Sequence, residues 1–218
     1  MSKTSTPSAT VTVRDSKGLK FLEVVSAAYN KAGLTKDEAQ RVNQATGLAD
    51  LIADYIAKHR HEVPPILKLV ARDINVSGVK RFTADKASLK EANIGWTGDN
   101  FDQHFLGKVE ENIPDDTLAV HHLKKRSLDA PIRKELGRNR EEITLAHFFE
   151  LLKKQSKGEI GHLLVNDANI AYIRDKNKTL WAVRAFWDSV GRCWDVDADS
   201  VEAPHVWRGG LRVVSRDC

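Results

Sequence analysis

The chain has 218 residues, 41% of them apolar and 29% charged, a balance typical of globular domains that excludes fibrous and wholly disordered classes. Its formal charge of +4 is spread evenly, with 16 Lys/Arg against 14 Asp/Glu in residues 1–112 and 18 against 16 in residues 113–218, so neither half is an acidic or basic tail. No apolar run approaches the ~20 residues of a bilayer span. The polar start MSKTSTPSAT lacks the apolar segment of a secretory signal, and the two cysteines, Cys193 and Cys218, support neither a disulfide framework nor a zinc module. A cytoplasmic protein that does not enter a membrane is the expectation.

Residues 1–17 are Ser/Thr/Pro-rich with little hydrophobic periodicity and read as a flexible lead-in. From there Leu19, Leu22, Val25 and Tyr29 recur at three- and four-residue steps, predicting a helix over 18–32 that Gly33 stops. Thr35 and Glu38 have the spacing of a capping box. The stripe Ala39, Val42, Ala45, Ala49, Ile52 and Ile56 then predicts one helix over 36–60, which Pro64-Pro65 limits. The run Ile66, Leu67, Leu69, Val70 is short enough to be strand or helix.

The middle reads as a short helix over 84–92, a turn at Gly95–Gly98, and a helix over 99–112 that buries Phe101, Phe105 and Val109. Beyond Pro114, TLAVHHLKK predicts a strand, followed by a helix near 129–136. A further helix over 144–155 is built on Leu145, Phe148, Phe149, Leu151 and Leu152. The remainder reads as strands: HLLV, NIAYIRD, TLWAVRAFWD, RCWDVDADSV and LRVVSR. In TLWAVRAFWD both faces are partly apolar, the mark of a central strand. In the next strand Trp194, Val196 and Ala198 oppose Asp195, Asp197 and Asp199, an acidic face that should meet solvent. The expected fold is α+β: a mainly helical region over 18–112, then an α+β domain over 113–218 with helices packed on one face of an antiparallel β-meander, the boundary falling near Ile113.

Sites for chemistry are sparse. Asp195, Asp197 and Asp199 have the spacing of the first calcium-loop ligands, but Ser200 stands where the loop needs Gly and Val206 where it needs a bidentate Glu, which leaves a solvated strand face. His121 and His122 point apart on a strand, and His59 with His61 lacks the i,i+4 spacing of a helical metal pair, so no metal site is expected. Cys193 sits in a strand beside Trp194 as a packing residue. Neither a Gly-flanked serine elbow nor a glycine-rich phosphate loop occurs, so no nucleotide or other cofactor is expected.

Two features suggest a partner. Residues 121–140 hold Lys124, Lys125, Arg126, Arg133, Lys134, Arg138 and Arg140 against Asp129 and Glu135, a local +5 that suits an anionic ligand. Trp181, Trp187, Trp194 and Trp207 lie on or beside the meander, either as core under the helices or as a platform for unpaired bases.

The segments NIGWTGDNF with FLGKVEENIP, KKRSLDAPIRKELG, TLAHFFELLKKQSKGEIGHLLVNDANIAYIRD, and LWAVRAFWD with WRGGLRVVSR cover about residues 93–216. There the chain resembles uncharacterised proteins from candidate-phylum bacteria, a resemblance that implies a bacterial source and carries no activity or site residue with it. The first functional expectation is a non-catalytic binding or accessory module whose partner is nucleic acid, through the seven cations. The alternatives are a small hydrolase or transferase that brings His147, His162 or His205 to Asp195 or Asp188, and a protein-protein scaffold with an apolar patch on its N-terminal helices.

Overall fold

The computed structural model describes residues 16–45, 47–59, 64–203 and 205–217. The chain divides into two units between Glu62 and Val63, in place of the boundary expected near Ile113. Strands from both sides of Ile113 share one sheet, which is the physical reason.

The first unit has three helices, α1 (Ser16–Lys31), α2 (Lys36–Gln44) and α3 (Leu48–His59). Gly33, at φ +60°, ends α1 in the left-handed region open to glycine. The capping box forms: the Thr35 hydroxyl accepts from Glu38 N, and the Glu38 carboxylate accepts from Thr35 N at 2.8 Å. The single helix expected over 36–60 is two helices. Gly47 adopts φ +93° between them, a conformation that interrupts the i to i−4 ladder and that periodicity alone does not register. Leu19, Leu22, Val24, Leu51, Tyr55 and Ile56 are all exposed within this unit.

The second unit runs β1 (Leu67–Val76), β2 (Val79–Thr83), α4 (Lys86–Glu91), β3 (Ile94–Thr97), α5 (Asp99–His104), β4 (Val109–Ile113), β5 (Asp116–Leu123), α6 (Asp129–Leu136), α7 (Leu145–Lys154), β6 (Asn169–Arg174), β7 (Leu180–Asp188), β8 (Cys193–Ser200) and β9 (Arg212–Arg216). Seven strands form one sheet in the order β1-β5-β9-β6-β7-β8-β3, and β2 pairs with β4 in a separate ribbon. The expected antiparallel sheet is mixed. β6, β7 and β8 form the predicted meander, but β9 lies parallel to β6 and β3 parallel to β8. After β8 the chain re-enters the sheet between β5 and β6, and β9 runs with the direction of β6 and antiparallel to β5.

Three local expectations also change. The turn at Gly95–Gly98 is largely strand β3, because the β8 edge offers backbone partners to a segment with weak strand patterning. The helix over 99–112 stops at His104; Gly107 at φ +78° redirects the chain into β4, leaving Phe101 and Phe105 fully buried and Val109 exposed. HLLV is irregular. Its Leu163 N–H and C=O are satisfied by the Gln155 side-chain amide at 3.0 and 2.9 Å, and the Asn169 amide does the same for Leu164 at 2.7 and 2.9 Å. Side-chain amides thus take the place of a neighbouring strand.

The central position of β7 follows its sequence. Trp181, Val183 and Ala185 join the core with α7, while Leu180 and Ala182 join a second core with Ile132 and Leu136 of α6. Helices therefore cover both faces, where one was expected. On β8, Trp194, Val196 and Ala198 are fully buried, and Trp194 Nε1 donates to Leu152 O at 3.2 Å.

Candidate functional site

The seven cations do not share one setting. Lys124, Lys125 and Arg126 follow β5, are exposed, and make no ion pair among the described residues. Their turn is fixed from beneath: Ser127 and Trp207 exchange backbone hydrogen bonds of 2.9 Å, and Lys124 N donates to Ile66 O at 2.7 Å. A Cβ on Gly209 would lie 3.1 Å from Lys125 Cα, so the basic turn and the 205–211 strap touch backbone to backbone, and a side chain there would push them apart by a few tenths of an ångström.

Arg133 has a structural task. Its Nε donates to Glu141 at 2.9 Å, and its guanidinium lies 5.9 Å from the Tyr172 ring. Lys134 and Arg138 are exposed on and after α6. Arg140 Nε donates to Leu136 O at 2.9 Å, and Arg140 O accepts from Arg216 N, also at 2.9 Å, at the far end of β9 from Leu211. Five strand residues, about 16 Å, separate Arg140 from the Leu211 end of β9, whereas Glu135, next to Lys134 on α6, accepts from Ile66 N and Leu67 N at 2.8 and 2.9 Å beside the Lys124 turn.

Tertiary structure brings other cations to the Lys124–Arg126 end. Lys68 and Arg212 flank His122 in register across β1, β5 and β9. Arg208, its side chain 72% exposed, lies on the strap and pairs with Asp167 at 2.7 Å. Sequence reasoning missed Lys68, Arg208 and Arg212 because they are isolated in the chain; WRGG was the one local signal that backbone comes close there.

Beside this rim lies an open cleft of about 250 Å³. Trp207, Leu211 and Ala168, all buried, form its floor, Phe186 and Val206 its walls, and Arg184, Asp167, His205 and Arg208 its mouth. The Arg184 guanidinium lies 5.3 Å from the Phe186 ring, and His205 packs on Trp207 with ring centroids 4.2 Å apart. Trp207 is held by Asp129, whose Oδ1 accepts from Trp207 Nε1 at 2.7 Å and from Tyr172 Oη at 2.8 Å. Burial raises the Asp129 carboxyl above its ordinary range against the opposing effect of those two hydrogen bonds.

The acidic face of β8 does not simply meet solvent. Arg184 reaches across from β7 to Asp197 at 2.9 Å and Asp199 at 3.2 Å, so these carboxylates serve a guanidinium. Among the described residues no group of three His, Cys, Asp or Glu is placed to hold a metal ion. Of the four tryptophans of the expected platform, Trp181, Trp194 and Trp207 are buried and Trp187 is partly buried against the core, its ring edge-on to Trp194; Trp96, outside the meander, is 54% exposed. His147 is fully buried with Nε2 on Pro114 O at 3.0 Å, His162 lines an open depression near Gln155, and Asp188 caps the Val190–Gly191 turn. Among the described residues neither these histidines nor His205 is hydrogen-bonded to Asp195 or Asp188. A His/Asp pair forms elsewhere: His104 Nδ1 lies 3.2 Å from Asp175 Oδ2, which also accepts from Trp181 Nε1 at 3.2 Å. Asp175 Oδ1 organises the β6–β7 turn through Asn177 N and Thr179 N. Among the described residues no hydroxyl or thiol is hydrogen-bonded to His104, so the pair lacks the nucleophile of a triad.

No protein-family model, curated protein or solved structure matches the chain.

Proposed function

We propose that this protein binds nucleic acid as a non-catalytic accessory module of the cytoplasm, through phosphate contacts at the rim formed by Lys124, Lys125, Arg126 and Arg208. The observation that carries the reading is the first three cations standing exposed, with no ion pair among the described residues, on a turn whose backbone is pinned to the 205–211 strap. A rigid cluster of unpaired cations gives up little conformational freedom beyond its own side chains when it meets a phosphate chain, and it releases condensed counterions in exchange. Lys68 and Arg212 add two cations at the same end of the sheet. No helix among the described residues is long and apolar enough to cross a membrane.

The test is anisotropy titration of a labelled mixed-sequence oligonucleotide over a salt series. Four phosphate contacts predict a slope of log affinity against log salt of about −3 on a single strand, and replacing Lys124, Lys125 and Arg126 by alanine should flatten it by about 2. An unchanged slope in that variant refutes the assignment of the rim. The exposed apolar side chains of α1 and α3 favour a second reading, association with a protein partner through the N-terminal helices. Concentration-dependent sedimentation that vanishes when residues 1–62 are removed would support it.

A further inference from the structure

Resting on the nucleic-acid reading, we propose that the cleft between Phe186 and the 205–211 strap takes one unpaired nucleobase, so that the preferred ligand is a single strand. A platform of several tryptophans is not available for stacking, since Trp181, Trp194 and Trp207 are buried and the partly exposed Trp187 packs on Trp194 and against Gly158. The cleft offers what a flat heterocycle needs instead. Its floor of Trp207, Leu211 and Ala168 is apolar, and the partly exposed Phe186 ring forms one wall. At about 250 Å³ it lies below the roughly 300–1,000 Å³ of drug-sized sites, a scale that suits one base and not a whole dinucleotide.

The mouth carries both kinds of hydrogen-bonding group that a base edge requires. Arg184 and Arg208 donate, the Asp167 carboxylate accepts, and the His205 imidazole can do either according to its tautomer. These groups are positioned before any ligand arrives: Asp167 Oδ1 accepts from Ala168 N at 2.7 Å and from Arg208 at 2.7 Å, while Asp197 and Asp199 hold Arg184 from behind. Asp129 fixes the Trp207 floor.

The connection to the rim is covalent and short. Arg208 belongs to both, and Gly209, one residue on, touches Lys125. A backbone phosphate on the Lys124–Arg126 turn therefore leaves its own or a neighbouring base within reach of the cleft. In a duplex that base is paired and stacked inside the helix, and the cleft stays empty.

The experiment measures binding of the full chain to a labelled single strand of about twelve nucleotides and to the same sequence as duplex. The single strand should bind at least about tenfold more tightly, the scale of one base–aromatic contact. Phe186→Ala with His205→Ala should bring single-strand affinity down to the duplex value while leaving duplex affinity and its salt slope unchanged. Phe186→Tyr, which keeps the ring, should retain the preference and guards against a folding defect in the alanine variant. Equal affinity for the two forms, or a preference that survives the double alanine variant, overturns the cleft assignment but not the rim. Absence of binding to either form at low salt overturns the nucleic-acid reading itself, and the cleft assignment with it.

Discussion

Replacing Asp129 by alanine removes an acceptor shared by two buried donors. Trp207 Nε1 and Tyr172 Oη both end on Asp129 Oδ1, at 2.7 and 2.8 Å, in a core where Trp207 is 3% exposed and Tyr172 fully buried. Each orphaned donor costs about 1–3 kcal/mol, so Asp129→Ala should lose about 2–6 kcal/mol. For a unit of this size that lowers the midpoint by about 2–4 °C per kcal/mol. Asp129→Asn keeps a side-chain carbonyl for both donors and should lose far less.

The two variants also separate by pH. Burial raises the Asp129 carboxyl in the folded state, so the folded chain holds that proton to higher pH than the unfolded one, whose value is about 3.9. Its contribution is fully favourable below 3.9 and declines as pH rises through the folded value. Asn has no proton to lose there, so Asp129→Asn should gain on wild type across that window. Urea denaturation followed by tryptophan fluorescence at several pH values reads both effects. A loss under about 1 kcal/mol in Asp129→Ala, or an Asn variant as damaged as the alanine one, would refute the shared-acceptor account.

Two further outcomes follow from packing. Residues 63–218 should fold on their own with unchanged near-ultraviolet circular dichroism, since both core clusters are drawn wholly from residues 66–214; loss of cooperative unfolding in that fragment would contradict it. Gly158→Ala should destabilise by more than about 1 kcal/mol, because Gly158 sits at φ +67° and a Cβ there would come within 2.2 Å of the Trp187 ring; thermal melts check it.

Short-range physics was legible in the residues themselves. The Thr35–Glu38 box, the Leu145–Lys154 helix, the two-faced β7 and the alternation of β8 each depend on contacts within a few positions or on a period intrinsic to the backbone, and all four appear as expected. Where a local rule was masked by a stronger pattern, the reading went astray. The apolar stripe over 36–60 hid the break at Gly47, and Phe101 with Phe105 drew the following strand into a helix that Gly107 ends.

The candidate site shows the same division on a larger scale. Lys124, Lys125 and Arg126 are consecutive, so their shared exposure was readable as a charge run, whereas the scattering of Arg133, Arg138 and Arg140 depends on where α6 and β9 end. Pairings of Asp129 with Trp207 and Tyr172, of Arg184 with Asp197 and Asp199, and of His104 with Asp175 span 78, 43, 13, 15 and 71 positions respectively. Whether a tryptophan is floor or platform, and whether a sheet is antiparallel or mixed, turns on which strand edge a returning chain finds. Composition and periodicity set what each segment can become, and burial against distant partners chooses among those options, because the free energy of removing apolar surface from water belongs to the assembled layers and not to any one segment.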